Sequence, residues 1–455
     1  MMKRNFSKII ILVLFLSFIT LTGLRCTIFS QKAAERIKPI VLNWWRVADS
    51  ADTTTELISA FNAQYSHVKI NYQQFRPEEY EQALLEAWAE DRGPDIFSIP
   101  NTLLGKYETK ILPMPPKITI GKQVLTGTIK KDYKIVVETK QAPTLRDLKN
   151  NFVGTVVEDT YKDDKIWGLP MALDTLALYY NRDLLNQARL VEAPKTWEDL
   201  VSDMKLLTIL DSKGKIVQSG AALGTANNVD HAVGILSALM LQNGTMMTRD
   251  NKVSFNLPSN DDPTYFPGEE AIRFYTDFSN PGKEVYAWNK DMPSSLDAFL
   301  QGKAAFYFGY ASDLLKIRSM APTLNFDVSK MPQIGGSLKE ANYANYYIET
   351  VSKKTKYMNE AWAFVMFATD AKNVKSYLDR AKRLTAQRSL IKGQLADFDL
   401  GAFANTVLTA ESWYHGENWP AAEKAIKDMI NDVANNNRTI KEAIAYYMQI
   451  INQTY

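Results

Sequence analysis

The sequence predicts an α/β protein of two lobes, and three observations carry that expectation. A chain of 455 residues that is 46% hydrophobic, 23% charged and 11% aromatic is a folded protein, long enough for two or more cores. Segments of strand and helix period alternate from Ile40 to Ile99, the order of a parallel sheet. The alternation returns beyond Asp174, now with helices in the majority.

The first strand is expected at "IVLNWW", Ile40 to Trp45, followed by a helix over Thr53 to Tyr65 whose apolar face is Leu57, Ile58 and Phe61. "HVKINYQQF" alternates as a second strand should. A helix from Pro77 through Trp88 ends at Gly93-Pro94, because proline cannot continue it, and Asp95 then leads a third strand. "KIWGLPMALDTLALYYNRDLL", from Lys165 to Leu185, reads as a buried strand running into a helix. Helices are expected from about Thr196 to Leu210, around His231 to Gln242 and from Gly268 to Phe278. "AAFYFGY", "FDVSKMPQIGG" and "YIETVSKKT" read as strands, and the pattern is helical almost throughout from Asn359, notably over Ala361 to Phe367 and Ala421 to Val433.

Charge narrows the partners. With 53 basic and 51 acidic side chains the net charge is +2, too small a field to hold a nucleic acid. At the N-terminus, Lys3, Arg4 and Lys8 precede an apolar run from Ile9 to Leu24, the layout of an export signal. The run is short for a spanning helix, which needs roughly 20 apolar residues, so cleavage, lipid attachment and an uncleaved anchor all remain open. Residues 1–29 are therefore expected as signal peptide or anchor and 30–38 as a polar tether, with the folded part outside the cytoplasm. Cys26 is the only cysteine, so no disulfide can form within the chain. It resembles a bacterial lipoprotein acceptor, although Arg25 and Gly23 depart from that pattern.

"GLPMALDTLALYYNRDLL", "PKTWEDLVSDMKLLT", "GKAAFYFGY" and "EAWAFVMF" occur in an order and spacing that resemble the extracellular solute-binding proteins of the maltose-binding type, over nearly all of Ile40 to Asn452. The resemblance implies a periplasmic-binding-protein architecture: two hinge-linked lobes, each a mostly parallel sheet flanked by helices, closing on a ligand and delivering it to an ABC importer. Carried onto this chain, lobe 1 is 40–173 plus 312–348 and lobe 2 is 177–308 plus 353–455. Hinges fall near 174–176, 309–311 and 349–352.

The same resemblance places Asp174 at the hinge and the floor of the cleft. A carboxylate in an apolar strand is costly unless it is paired or hydrogen-bonded, so Asp174 is expected either to accept from a sugar hydroxyl or to serve as a cap or ion-pair partner. Sugars need flat apolar faces and a polar rim, which makes aromatics at strand ends candidates. Trp44 and Trp45 are consecutive in a strand, so at most one is expected to reach the cleft. Tyr310, next to Gly309, and Asn345 and Tyr346 of "YANYYIE" follow, then Arg388 of "RLTAQRSL" and Trp413 of "ESWYHGENWP". Trp413 is the expected stacking platform, while Trp419 is expected to staple the following helix. Asp95, Asn101 and Thr175 complete the candidate ligand contacts.

No cofactor, metal site or catalytic set is expected. His67, His231 and His415 have no ligand spacing, and the adjacent tyrosines Tyr346-Tyr347 lack the histidine and carboxylates that a ferric site would use. Asp163-Asp164 and Glu78-Glu79 are sequence neighbours, not carboxylates facing each other across a glycosidic bond. The sequence therefore points to a monomeric, non-enzymatic carbohydrate receptor, the alternatives being a carbohydrate-active hydrolase or a receptor for a glycerophosphodiester, peptide or ferric ion.

Overall fold

The computed structural model describes residues 37–47, 49–128, 132–337 and 339–455. Cys26, the apolar run and most of the tether lie outside the described residues. The chain forms two compact units. One runs up to Phe97 and adds Met114–Ala142 and Lys354–Phe367; the other is Ser98–Pro113, Pro143–Lys353 and Ala368–Tyr455.

In the first unit the strand Ile40–Val47 pairs in parallel with Val68–Phe75 along its whole length, and with the start of Ile96–Pro100 at Trp44 and Trp45. The helices Ala51–Gln64 and Pro77–Ala89 bury Leu57 and Phe61, and Tyr80, Leu84 and Trp88. Strand, helix, strand, helix, strand is thus realised as the periodicity predicts. Trp44 sits in the core, edge-on to Tyr72 and Phe364 at 5.1 and 4.9 Å between ring centres. A two-stranded antiparallel hairpin, Lys117–Thr126 with Asp132–Gln141, also belongs to this unit and has no counterpart among the expected strands.

The second unit is built on a sheet whose strands follow the order Ala410–Glu411, Asn342–Asn345, Asp174–Asn181, Ala304–Tyr310, Ile216–Ala221 and Ile209–Leu210. This sheet is mixed where a mostly parallel one is expected. Asp174–Asn181 is antiparallel to Ala304–Tyr310 along one edge, and to Phe326–Lys330 and Asn342–Asn345 along the other. The reason lies in the chain path: Leu176 faces Tyr310, so the strand leading in and the strand leading out meet at one end and must run oppositely. Of the three expected hinge segments, Asp174–Leu176 and Gly309–Ala311 lie within the second unit, and 349–352 ends just before the chain passes to the first unit at Lys354.

Around this sheet lie Trp197–Leu207, with the Thr196–Asp199 capping box that the sequence shows, and Pro267–Asp277, Trp419–Ala434 and Ile440–Asn452. Ala232–Gln242 is buried at all of its positions, as a helix apolar all round must be.

Candidate functional site

The N-terminal turn of Ala232–Gln242 opens onto a cavity of about 440 Å³ in the second unit, within the range of small-ligand sites. Two tyrosines define it. Tyr310 ends the strand Ala304–Tyr310, and Tyr343 projects from Asn342–Asn345 on the same face as Asn345, two residues along. Both rings are buried, yet neither hydroxyl has a hydrogen-bond partner among the described residues. Burial pushes both phenols upward in pKa, so both are protonated donors at neutral pH. Gly234 is the reason they fit: a Cβ there would lie 2.9 Å from the Tyr310 hydroxyl and 3.3 Å from the Tyr343 ring.

Tyr310 is braced from behind. Its backbone N–H donates to Asp313 Oδ2 at 3.0 Å, its carbonyl accepts from the Tyr179 hydroxyl at 2.6 Å, and the His231 ring stands edge-on to it at 4.7 Å. His231 adopts the left-handed conformation, φ 60°, which turns its Nε2 to within 2.9 Å of the same carboxylate oxygen. Burial alone would raise the Asp313 carboxyl, but hydrogen bonds from His231, Tyr310 N–H and Tyr307 hold it below the ordinary range.

Apolar surface comes from Pro100 and Trp419, and further polar groups from Thr102, Asn227 and Asn345. The cavity's carboxylates are committed elsewhere. Asp230 Oδ2 accepts from Ser295 Oγ and Leu296 N–H at 2.8 and 2.9 Å, and Glu423 pairs with Lys427 at 2.7 Å. What remains are hydroxyl, amide and helix-terminal N–H groups beside flat apolar faces, a set suited to holding a polyhydroxylated molecule.

Of the residues expected at the site, Tyr310 and Asn345 line this cavity. Asp174 does not. Its Oδ1 accepts from the N–H groups of Thr175 and Ala311 at 2.9 Å and its Oδ2 from Ser312 at 3.1 Å, so it ties the start of its strand to the turn that follows Tyr310. Trp413 is buried, donating from Nε1 to Ser237 Oγ at 3.0 Å and packed edge-on to Phe255. The neighbour expected as a staple, Trp419, is the tryptophan that lines the cavity.

Tyr346 points the opposite way from Asn345, to the buried Asp159, which also accepts from Asn101 Nδ2 at 3.1 Å. Thr175 bonds Thr406 Oγ1 at 3.1 Å, and Arg388 Nε donates to the Phe152 carbonyl at 2.7 Å. Trp44, Trp45 and Asp95 belong to the first unit. Trp45 packs on Phe75, and Asp95 accepts from Asn43 N–H at 2.9 Å and Thr355 Oγ1 at 2.6 Å. Tyr343 and Gly234 were not expected. Strand alternation carried a signal for Tyr343, since choosing Asn345 selects its i−2 neighbour; nothing local marks Gly234.

This fold is that of known solute receptors. The solved cyclo/maltodextrin-binding protein complexed with maltotetraose superposes with a TM-score of 0.70 at 16% identity, over 91% of this chain and 97% of that one. MalE from Xanthomonas citri gives 0.69 at 17% identity, over 91% and 97%. The chain belongs to the bacterial extracellular solute-binding proteins, whose family model matches residues 56–397. Among curated relatives, the galactooligosaccharide-binding protein of Bacillus subtilis (strain 168) is 20% identical over 66% of this chain and 61% of its own length. The maltodextrin-binding protein MdxE of the same strain is 22% identical over 64% and 69%. The chain thus spans about three fifths of the first of these relatives.

Proposed function

We propose that the protein captures a carbohydrate outside the cytoplasm and delivers it to an ABC importer, without chemical turnover. One observation carries this: two tyrosines with buried rings, Tyr310 and Tyr343, line a cavity that also offers Trp419, Pro100 and Asn345. A hydroxyl-bearing ligand exchanges hydrogen bonds with these phenols in place of water, each worth about 0.5–1.5 kcal/mol net. Relatives named for galactooligosaccharide and maltodextrin binding support the same ligand class.

The binding step is a closure of two lobes. The cavity is lined by Pro100, Thr102 and Asn345, from segments assigned to lobe 1, and by Asn227, His231 and Trp419, from segments assigned to lobe 2. A ligand touching both sets stabilises their approach by its extra contacts in the closed form. Tyr310, at the crossing between those segments, registers both the ligand and the geometry of the strand pair. Export through the N-terminal segment, with Cys26 as lipid acceptor or the apolar run as anchor, keeps the receptor beside the membrane subunits it serves.

A thermal-shift screen of mono- and oligosaccharides, polyols, phosphodiesters, peptides and ferric salts tests this, because a ligand that binds only the native state raises the melting temperature by mass action. A saturable shift with a saccharide, and no product after prolonged incubation, is expected. A shift only with a non-saccharide, or cleavage of the sugar, defeats the reading.

A further inference from the structure

The charges around the cavity are unevenly matched. Among the described residues its lining includes one lysine and no arginine, against two carboxylates, Asp230 and Glu423. Lys427 stands 2.7 Å from Glu423, and His231 Nε2 is 2.9 Å from Asp313, so each basic group already faces an acid. Asp230 accepts from the Ser295 hydroxyl and the Leu296 N–H, neutral donors that leave its charge uncancelled. The start of Ala232–Gln242 by itself favours an anion, but Asp230 lies two residues ahead of it and offsets that end of the helix. The field extends to the two tyrosines. Burial does most to raise the Tyr310 and Tyr343 phenols, and carboxylates act with it: Asp174, Asp313 and Glu423 on Tyr310, Asp159 and Glu423 on Tyr343.

We infer that this cavity sorts saccharides by charge: it takes neutral and ammonium-bearing sugars and refuses those with a carboxylate or phosphate, Asp230 and Glu423 being the selecting residues. The inference rests on the reading of the cavity as a saccharide site. A ligand anion there meets like charge with little water to screen it, and finds no unmatched cation among the described lining residues. A sugar hydroxyl carries no charge and is not opposed, and an ammonium group is attracted by both carboxylates. On this account a glycerophosphodiester is not the ligand.

The test is equilibrium dialysis of the full chain against maltotetraose and galactotetraose, each beside its forms carrying a carboxylate or an amine in place of one primary hydroxyl. At low salt the carboxylate form should bind about tenfold or more weakly than its neutral parent, and the amine form at least as tightly as that parent. In about 0.5 M salt the ratio of neutral to carboxylate affinity should fall to about threefold or less, because screening shortens the reach of the charges. Glu423→Gln removes one selecting charge and leaves Lys427 unmatched, so it should cut the low-salt ratio about fivefold or more. Equal binding of neutral and carboxylate forms, or a ratio that Glu423→Gln does not move, overturns the inference while saccharide capture stands. Should that variant fail to fold, a wild-type ratio unchanged by salt overturns it in the same way. Binding of none of these sugars defeats the capture reading itself, and the inference falls with it.

Discussion

Asp174 survives in an apolar strand because three backbone N–H groups converge on it. Burial nevertheless pushes its carboxyl up to about 6, against the pull of Arg383 and of the Ala311 and Ser312 N–H groups. The folded protein therefore keeps a proton that the unfolded chain, with an ordinary carboxyl near 4, has already lost. The stabilisation from that proton is complete below about pH 4 and gone above about pH 6. Unfolding free energy should fall by up to about 3 kcal/mol between pH 4 and 7 on this account, and Asp174→Asn should remove that part of the slope. Urea unfolding at both pH values, in both proteins, measures it; identical slopes would contradict the assignment. The two tryptophans separate just as cleanly. Trp413→Ala should cost about 3–5 kcal/mol of stability as a core truncation. Trp419→Ala should cost less and weaken saccharide binding, which denaturant melts and titrations on the same samples distinguish.

Among the elements, glycines decide where strands and helices approach closely. A Cβ at Gly309 would lie 2.5 Å from the Tyr307 ring and 2.8 Å from Asp313 Oδ2, so Gly309→Ala should destabilise by about 2 kcal/mol or more, seen as a lower urea midpoint. Gly234→Ala gains helix propensity of roughly 0.5–1 kcal/mol and meets the Tyr310 hydroxyl, the Tyr343 ring edge and, at an ordinary contact distance of 3.4 Å, Leu176 Cδ1. Its stability should stay nearly level while its saccharide affinity drops; a stability loss as large as that of Gly309→Ala would mean the tyrosines belong to the core.

Most elements were legible from periodicity and caps. Thr196 with Asp199, Gly93-Pro94 and the run "AAFYFGY" each mark a boundary that the structure keeps within two or three residues. The hairpin was not legible, because its lysine-rich strands have no continuous buried face and so lack the signal that alternation supplies. The antiparallel pairing of Asp174–Asn181 was equally hidden, since direction is set by where the chain re-enters the sheet and not by side-chain pattern. At the site, Tyr310 and Asn345 were readable by resemblance. Trp413 was favoured over Trp419 for the cavity and the structure places them the other way round, because six residues of loop and helix start put them on different sides of one aromatic cluster.

At the scale of the whole molecule the account is one of capture. Two lobes closing on a ligand should lower the radius of gyration by about 1 Å in solution scattering when saturating saccharide is added, and an unchanged radius would remove closure from the mechanism. Capture itself turns on the two tyrosines. The most direct measurement is calorimetric titration of the wild type and of the Tyr310→Phe, Tyr343→Phe double variant with the saccharide that gives the largest thermal shift. The account predicts saturable binding by the wild type and roughly 100-fold weaker binding by the variant, about a factor of ten for each lost hydrogen bond, at nearly unchanged stability. Equal affinity in the two proteins would contradict it.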